Sequence, residues 1–314
     1  MKKIYLKELI SVIPKSINFS VKGIIEGVFV TNTLPIMSAN ENSISFIDKT
    51  RSELEKNLWA SETKSKLIIT DLDIDIANKT NIVTAHPKLL FSFLVNEFFV
   101  SKKKKEIHSS AIISDKAIIG KNCFIGPNTL IGAHVKIGNN CDIYGNVTIY
   151  ENVKIGDNVK INSGTVIGAE GFGYLKSESL GTINFPHLGG VIIEDNVEIG
   201  ANTTIDRGAL GNTILKKNVK VDNLVHIAHN VYIDEGAWII AKAMVAGSVK
   251  IGKNTSIAPG ACIRDAINIG NNVLIGMGAV VTKSVPDNQT WTGVPARELK
   301  DYFRIQKELK KFLE

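Results

Sequence analysis

The 314-residue sequence has little of what marks secreted, membrane or disulfide-stabilised proteins. Its three cysteines are an odd number without paired spacing, which argues against a disulfide framework and favours a reducing compartment. No apolar run reaches the roughly 18 residues that a membrane span needs, and the longest, residues 88–100, contains Asn96 and Glu97. The first residues have no long apolar core behind their lysines, so no secretory signal is expected. A cytoplasmic location without a membrane span is therefore predicted.

Acidic residues are in the minority, and the formal net charge is +6 with a pI near 9.0. A run of four lysines at residues 102–105 suggests nucleic-acid binding. However, aromatic residues are not interleaved with the basic ones and no nucleic-acid-binding motif is present, so we expect a solvated linker there. The alternative use of the positive surplus is an anionic nucleotide or coenzyme, or an acidic carrier protein.

What the sequence does have is a repeat of six residues. An aliphatic residue occupies every sixth position over 107–167 and 193–205, then, after four skipped residues, over 215–281. The fifth position of each hexad is small or β-branched, as at Cys123 and Cys141. A register of this length cannot plausibly arise by chance, and internal periods of this kind are typical of solenoids.

The spacing predicts a mainly β fold, a left-handed parallel β-helix over residues 106–286. Six residues make a short strand and a turn, and three hexads complete one triangular coil. Positions one and five point inward and stack on the coils above and below, while Gly and Asn tolerate the corner dihedrals. The cysteines at position five are then core residues, with no role as nucleophiles or metal ligands.

Two segments interrupt the register. Residues 168–190 form an insertion loop that no coil can hold, and a smaller bulge is expected at residues 211–214. Loops on a rigid solenoid often carry function, although a loop tolerated outside the core is the alternative.

The two ends of the chain lack the period of six. Residues 1–101 predict a small α/β domain, and residues 295–314 predict an amphipathic C-terminal helix with one basic face. That basic face would either meet an acidic acyl carrier protein or be only a solvated surface. The expected elements of the first region are strands within 23–30, 43–47 and 66–70 and helices near 6–13 and 88–99.

The interruption and the coils after it carry four specific motifs: GFGY at 171–174, FPHLGG at 185–190, EIGANTTIDRGA at 198–209 and DNLVHIAHN at 222–230. These motifs resemble those of the UDP-3-O-(3-hydroxyacyl)glucosamine N-acyltransferases of lipid A synthesis. The first hundred residues resemble that family's uridine-binding domain more loosely, at Ser45-Phe46 and at the helix start His86-Pro87. Residues 275–296 resemble instead the bacterial sugar O- and N-acetyltransferases.

The sequence departs from the family pattern at two places. A second functional histidine is expected within residues 258–269, where Ala266 occupies the aligned position. Residues 47–51 lack the aromatic that would stack on uracil. Both departures favour a relative that acylates another nucleotide-linked amino sugar, destined for a surface glycan. The lipid A enzyme itself is the alternative, and a non-catalytic β-helix scaffold is the alternative of another class, although no flat outward threonine array of an ice-binding surface persists.

The implied reaction is attack of a sugar amine on a thioester, which requires a group that takes a proton from the nitrogen. The resemblance assigns this role to His229, at the outward third position of its hexad, with Asp206 or another carboxylate orienting its far nitrogen. It assigns stabilisation of the oxyanion to the backbone of Gly247. No nucleophile triad or metal cluster is evident in the sequence, so direct transfer is expected.

Further substrate contacts are expected from Phe172, Tyr174 and His187 on the insertion, which would cover the sugar or acyl chain unless they pack only on the loop itself. Asn223 and Asn230 would hydrogen-bond the substrate unless they serve only as corner residues. The resemblance also implies a homotrimer, no permanently bound cofactor, and acyl-CoA or acyl carrier protein as the donor.

Overall fold

The computed structural model describes residues 2–73, 75–101 and 104–312. It divides into two compact units, residues 1–102 and residues 103–314. The predicted lysine linker falls partly on Lys102 and Lys103, which lie outside the described residues; Lys104, which follows them, forms an ion pair with Glu106.

The first unit is a five-stranded sheet with helices, accompanied by a two-stranded antiparallel ribbon formed by Ile4–Tyr5 and Phe29–Val30. The strands of the sheet lie in the order Ser20–Gly23, Thr80–Val83, Leu67–Thr70, Ser43–Phe46 and Asn32–Thr33, and the first two pair antiparallel while the other neighbours pair parallel. The strands are β1 Ile4–Tyr5, β2 Ser20–Gly23, β3 Phe29–Val30, β4 Asn32–Thr33, β5 Ser43–Phe46, β6 Leu67–Thr70 and β7 Thr80–Val83, and the helices are α1 Leu6–Ser11, α2 Glu53–Glu62 and α3 Pro87–Phe98, with a 3-10 turn at Ile36–Ser38.

Alternation along the strands divides the core of this unit between the two faces of the sheet. Leu67 and Ile69 pack in one cluster with residues of α1 and α3, while Ile68 packs in another with Ala60 of α2. Successive side chains of a strand point to opposite faces, so a strand buried on both faces is apolar throughout. The helix α2 was not predicted from the sequence, although Ser52 and Glu55 form a complete capping box before it.

The second unit is a left-handed parallel β-helix, as the period of six predicted. Its coils form three parallel sheets, and each residue pairs with the equivalent residue one coil away, as in the series Ile125, Ile143, Ile161, Ile199. The strands of the first sheet are β10 Phe124–Ile125, β13 Asp142–Ile143, β16 Lys160–Ile161, β21 Glu198–Ile199, β24 Lys220–Val221, β27 Trp238–Ile239, β30 Ser256–Ile257, β33 Leu274–Ile275, β35 Thr290–Thr292 and β36 Arg297–Glu298. The last of them, β36, differs from the others in pairing antiparallel, with β35.

The strands of the second sheet are β8 Ile112–Ile113, β11 Leu130–Ile131, β14 Thr148–Ile149, β17 Val166–Ala169, β22 Thr204–Asp206, β25 His226–Ile227, β28 Met244–Val245, β31 Cys262–Ile263 and β34 Val280–Val281. The strands of the third sheet are β9 Ile118–Ile119, β12 Lys136–Ile137, β15 Val153–Ile155, β20 Val191–Ile193, β23 Thr213–Leu215, β26 Tyr232–Ile233, β29 Lys250–Ile251 and β32 Asn268–Ile269.

Positions one and five of the hexads fill the core of the β-helix. Ile143, Val147 and Ile149 are fully buried, and the Cys141 thiol lies in the same hydrophobic core. Asparagines occupy most corners in the left-handed backbone region, for example Asn140 with φ 58°. Non-glycine residues other than Asn and Asp rarely adopt this conformation, so the frequency of Asn in the repeat follows from the corner geometry.

Three boundaries predicted in this unit were wrong. Gly168 and Ala169 still belong to β17, and the insertion beyond them is an antiparallel hairpin of β18 Tyr174–Ser177 and β19 Gly181–Asn184. The bulge lies at residues 207–212, because Thr213 and Ile214 are already paired in β23. The C-terminal helix α4 is Leu299–Lys311, because residues 295–298 form a turn and the strand β36. The last residues of the predicted helix, 313–314, lie outside the described residues. Over the described parts of both units, no helix is both long and apolar enough to cross a bilayer.

Candidate functional site

His229 lies in the turn that follows β25, where its half-buried side chain points away from the core. Its Nδ1 is 3.2 Å from the Oδ1 atom of Asn230. The same Oδ1 accepts a hydrogen bond of 2.9 Å from the Ala209 N–H, which fixes the orientation of the Asn230 amide. Since an amide oxygen only accepts, this contact favours the neutral tautomer in which Nδ1 of His229 carries the proton and Nε2 keeps its lone pair. The arrangement therefore presents Nε2 as a base.

Two glycines leave room for the His229 ring. A Cβ atom on Gly247 would lie 2.7 Å from both Cε1 and Nε2 of His229, and a Cβ on Gly171 would lie 2.9 Å from Cδ2. Real Cβ contacts are longer than this, so any side chain at either position would displace the imidazole. The Nε2 edge of the ring faces Gly247, which stands one coil above His229, and the Ser248 N–H bonds the His229 carbonyl at 2.9 Å. The backbone of Gly247 is thus beside the basic nitrogen.

His187, from the returning arm of the insertion, is 2% exposed and lies against His229. The two imidazole centroids are 5.1 Å apart with the rings at 72°. Gly171 and Gly173 make this position possible, since Cβ atoms there would lie 3.1 Å from Nε2 and 2.6 Å from Cε1 of His187. Within the described residues neither ring nitrogen of His187 has a hydrogen-bond partner. His187 was expected from the sequence to cover the sugar or acyl chain, and the structure shows its ring buried against that of His229.

Asp206, at the end of β22, is 8% exposed and faces His226. Its Oδ2 is 3.7 Å from Nε2 of His226, whose Nδ1 lies 2.7 Å from the Thr204 hydroxyl. Burial raises the pKa of the Asp206 carboxyl, and charge on the nearby His226, His229 and His187 imidazoles opposes that rise. The group that orients Nδ1 of His229 in this structure is Asn230, so the expectation that a carboxylate such as Asp206 would do so is replaced by an amide.

Arg207 anchors the start of the insertion, although the sequence analysis gave it no role. Its Nε donates to the Gly168 carbonyl at 2.6 Å, and its guanidinium forms a 2.7 Å ion pair with Glu151. This ion pair lowers the pKa of the Glu151 carboxyl. The position of Arg207 directly after Asp206 in a family motif was the available signal. The returning arm of the insertion is held on the other side, where the Leu188 N–H bonds the Ala209 carbonyl at 2.7 Å.

Three further predicted contacts, Phe172, Tyr174 and Asn223, are exposed at the surface. Phe172 is 85% exposed and Tyr174 is 54% exposed, and their rings pack edge to face at 5.0 Å. Asn223 is exposed at a corner, where its Oδ1 accepts from the Ala201 N–H at 2.6 Å. It also lines a cavity of about 570 Å³ on the first sheet, beside the exposed Trp238.

A separate cavity of about 530 Å³ lies within the first unit. It is bounded by Asp48 and Lys49, which follow β5, and by His86 and Lys88 at the start of α3. Two ammonium groups and a helix N-terminus favour an anion such as a phosphate. No three His, Cys, Asp or Glu side chains are grouped to hold a metal ion anywhere in the part of the chain that the structure describes.

Family models match the repeats of the β-helix. The bacterial transferase hexapeptide (six repeats) matches residues 116–150 and 134–169, and the hexapeptide repeat of succinyl-transferase matches residues 190–235 and 248–283. Among curated proteins, UDP-3-O-acylglucosamine N-acyltransferase of Caulobacter vibrioides is 52% identical over 143 residues, which are 46% of this chain and 42% of that protein. The protein of the same name from Wolinella succinogenes is 36% identical over 149 residues, 48% of this chain and 47% of that protein. The aligned region thus spans less than half the length of these relatives.

Solved structures show the same fold. A UDP-N-acetylglucosamine acyltransferase from Bacteroides fragilis is 28% identical with a TM-score of 0.56, covering 62% of this chain and 73% of that one. UDP-N-acetylglucosamine O-acyltransferase from Moraxella catarrhalis is 26% identical with a TM-score of 0.57, covering 64% and 77%. The chain is therefore a hexapeptide-repeat β-helix protein that resembles the UDP-3-O-acylglucosamine N-acyltransferases.

Proposed function

We propose that this chain is an N-acyltransferase that moves an acyl group from a thioester to the amino group of a nucleotide-linked amino sugar, for cell-surface glycan synthesis. The observation that carries the proposal is the hydrogen-bond pattern at Asn230, whose Oδ1 accepts from both Ala209 N–H and His229 Nδ1. In the tautomer that this pattern favours, Nε2 of His229 is available as a proton acceptor, 2.7 Å from the point where a Cβ atom on Gly247 would lie. The names of the relatives and the β-helix fold support the same reaction class.

The chemistry follows from this arrangement. The sugar amine attacks the thioester carbonyl, and Nε2 of His229 takes a proton from the attacking nitrogen as the C–N bond forms. The carbonyl oxygen gains negative charge next to the Gly247 N–H, which would stabilise it. Collapse of the adduct breaks the C–S bond, and His229 returns the proton to the departing sulfur. The products are an amide and a free thiol, with no covalent enzyme intermediate.

For the acceptor, we propose that the cavity of the first unit holds the nucleotide. Lys49 and Lys88 supply positive charge for a diphosphate. The His86 imidazole also lines the cavity and would take the place of the aromatic residue that is missing from residues 47–51, where a ring was expected to stack on uracil. On the second unit we propose Phe172, Tyr174 and Asn223 as contacts of the sugar or acyl chain. The buried carboxyl of Asp206 and the half-buried amide of Asn230 would shape the site around His229.

For the donor, acyl-CoA and acyl carrier protein both fit a positively charged protein, and no permanently bound cofactor enters the proposed steps. The outer part of α4 is basic, with Lys310 and Lys311 in its last turn, and Phe303 is 61% exposed. This helix is the proposed contact for an acidic carrier. Thioester donors and three unpaired cysteines are consistent with a cytoplasmic site of action.

We further propose a homotrimer, because Phe172 on the insertion and Trp238 beside Asn223 are exposed aromatic side chains that a neighbouring β-helix would cover. Multi-angle light scattering of the full chain should give three times its 34.2 kDa mass. A monomer at micromolar concentration would contradict the proposed intersubunit site.

The lipid A enzyme itself is the second candidate, favoured by the names of the curated relatives. A mass-spectrometric screen of nucleotide amino sugars against short and long acyl thioesters distinguishes the two. Conversion of a UDP-3-O-acylglucosamine acceptor would favour the second candidate, and conversion of an unacylated nucleotide amino sugar would favour the first. If no pair gives product, the chain is a scaffold.

His229→Ala tests the catalytic assignment with whichever substrate pair the screen identifies. Loss of a general base lowers kcat by about 10²–10⁴-fold, so that decrease is expected. His134→Asn is the matched control, because His134 is an exposed corner residue with φ 61°, a conformation that Asn adopts readily. Unchanged kcat in His229→Ala would remove His229 from its proposed role.

A further inference from the structure

The strongest unexplained feature of the structure is the buried imidazole of His187. Both of its nitrogens are unpartnered within the described residues, and the side chain is 2% exposed. Buried polar groups are nearly always hydrogen-bonded, since an unpaired one destabilises the fold. A leucine would fill the same space without this cost. The unpaired imidazole at this position therefore calls for a function that apolar packing cannot supply.

The surroundings of His187 indicate what that function is. The ring lies edge to face with His229 at 5.1 Å, and one point in space, where a Gly171 Cβ would stand, is within 3.1 Å of both His187 Nε2 and His229 Cδ2. Glycines at 171 and 173 are what allow the insertion to deliver an imidazole so close. Asp206 is close enough to both His187 and His229 to interact with them electrostatically, and its Oδ2 is 3.7 Å from Nε2 of His226.

We propose that His187 is a positioning residue for acyl transfer, whose imidazole fixes the His229 ring and stabilises the positive charge that His229 gains when it takes the amine proton. The inference rests on the proposed function, because it requires His229 to act as the base. A neutral imidazole offers a nitrogen lone pair to the edge of the neighbouring imidazolium. Inside a buried site such a fixed dipole acts more strongly than it would in water. The lone pair of one His187 nitrogen thus faces a positive charge only during the reaction.

Three variants of the full chain separate this role from the alternatives. His187→Leu keeps apolar volume without a lone pair, His187→Gln keeps a polar acceptor, and His187→Ala removes both. We expect kcat to fall about tenfold in the Leu and Ala variants, with KM for both substrates within about twofold of the wild type, and to be largely retained in the Gln variant. We also expect His187→Leu to raise Tm by about 2–4 °C, because two unpaired buried nitrogens are removed.

The opposite movement of Tm and kcat in His187→Leu is the signature of the proposal, since a merely structural residue would not lose activity while gaining stability. Unchanged kcat in His187→Leu would reduce His187 to a packing residue and overturn the inference. A raised KM with unchanged kcat would make it a direct substrate contact and overturn it equally. His229→Ala is measured in the same assay: if that variant stays active, the proposed function fails, whereas an inactive His229→Ala beside a fully active His187→Leu refutes only the inference.

Discussion

Gly247→Ala is the sharpest perturbation that the structure offers, because one methyl group would strike the base without straining the backbone. The added Cβ would lie 2.7 Å from Cε1 and Nε2 of His229, whereas ordinary contacts begin at 3.4 Å. The ring must therefore move by about 0.7 Å or more. Displacements of roughly 1 Å at reacting groups cost on the order of 10²-fold, so we expect kcat to fall by about that factor.

Stability should respond very differently. Gly247 is not among the glycines with positive φ, so alanine fits its backbone. Replacement of glycine at such a site stabilises by about 0.4–1 kcal/mol through the unfolded chain, which offsets part of the cost of moving the ring. We therefore expect Tm to change by no more than about 2 °C.

Gly260→Ala is the matched control, with the opposite pattern. Gly260 has φ +69° and nothing within 4 Å of its Cβ position, so alanine strains the backbone by about 1–2 kcal/mol without touching His229. Its Tm should fall while kcat stays the same. Steady-state kinetics and thermal melts of both variants provide the test: wild-type kcat in Gly247→Ala, or a loss of kcat matched by a similar loss of Tm in both variants, would refute the reasoning.

The other predictions concern the groups around the base. Asn230→Gly keeps the left-handed backbone at φ 60° but removes the hydrogen-bond partner of His229 Nδ1. Steady-state kinetics should therefore show a fall in kcat of about 10–100-fold, and the Tm of the variant is compared with that of the wild type. Burial raises the pKa of Asp206 above its ordinary 3.8, so the folded state holds that proton to higher pH than the unfolded chain does. The stability linked to this proton is lost as the pH rises through the raised pKa. Thermal melts recorded across pH should show this loss in the wild type and not in Asp206→Asn, and the same dependence of Tm on pH in both proteins would contradict the prediction. Burial also raises the pKa of the Cys141 thiol to about 12, so a thiol reagent at pH 8 should leave it unmodified in the folded protein while the partly exposed Cys262 reacts, as peptide mass spectrometry would report.

The hexad register made the β-helix predictable, because burial at positions one and five is a local property of the repeat. The same periodicity also predicted that His229 faces outward. The repeat gives no prediction for segments that lack the period of six. The position of the bulge at 207–212 and the inclusion of Gly168 in β17 could not be predicted, because both depend on how Arg207 and the insertion pack against the coils.

Contacts between distant segments were beyond the sequence. That Asn230, and not Asp206, faces Nδ1 of His229 depends on the amide orientation fixed by Ala209 across the 207–212 loop. The burial of His187 depends on the path of a hairpin with no repeat to constrain it. By contrast, the helix α2 was within reach, since its Ser52 and Glu55 capping box is visible in the sequence.

The stacking of His229 beneath Gly247, eighteen residues and one coil apart, has a consequence for how such a chain can change length. Every coil adds the same rise of roughly 4.8 Å, so the proposed catalytic residues lie on adjacent coils of a regular β-helix. Duplication or deletion of whole coils near either end would move the terminal helix in fixed steps, while His229 and Gly247 would stay in place relative to each other. A solenoid of this kind can therefore alter its reach toward a partner without a change in the geometry of the proposed site.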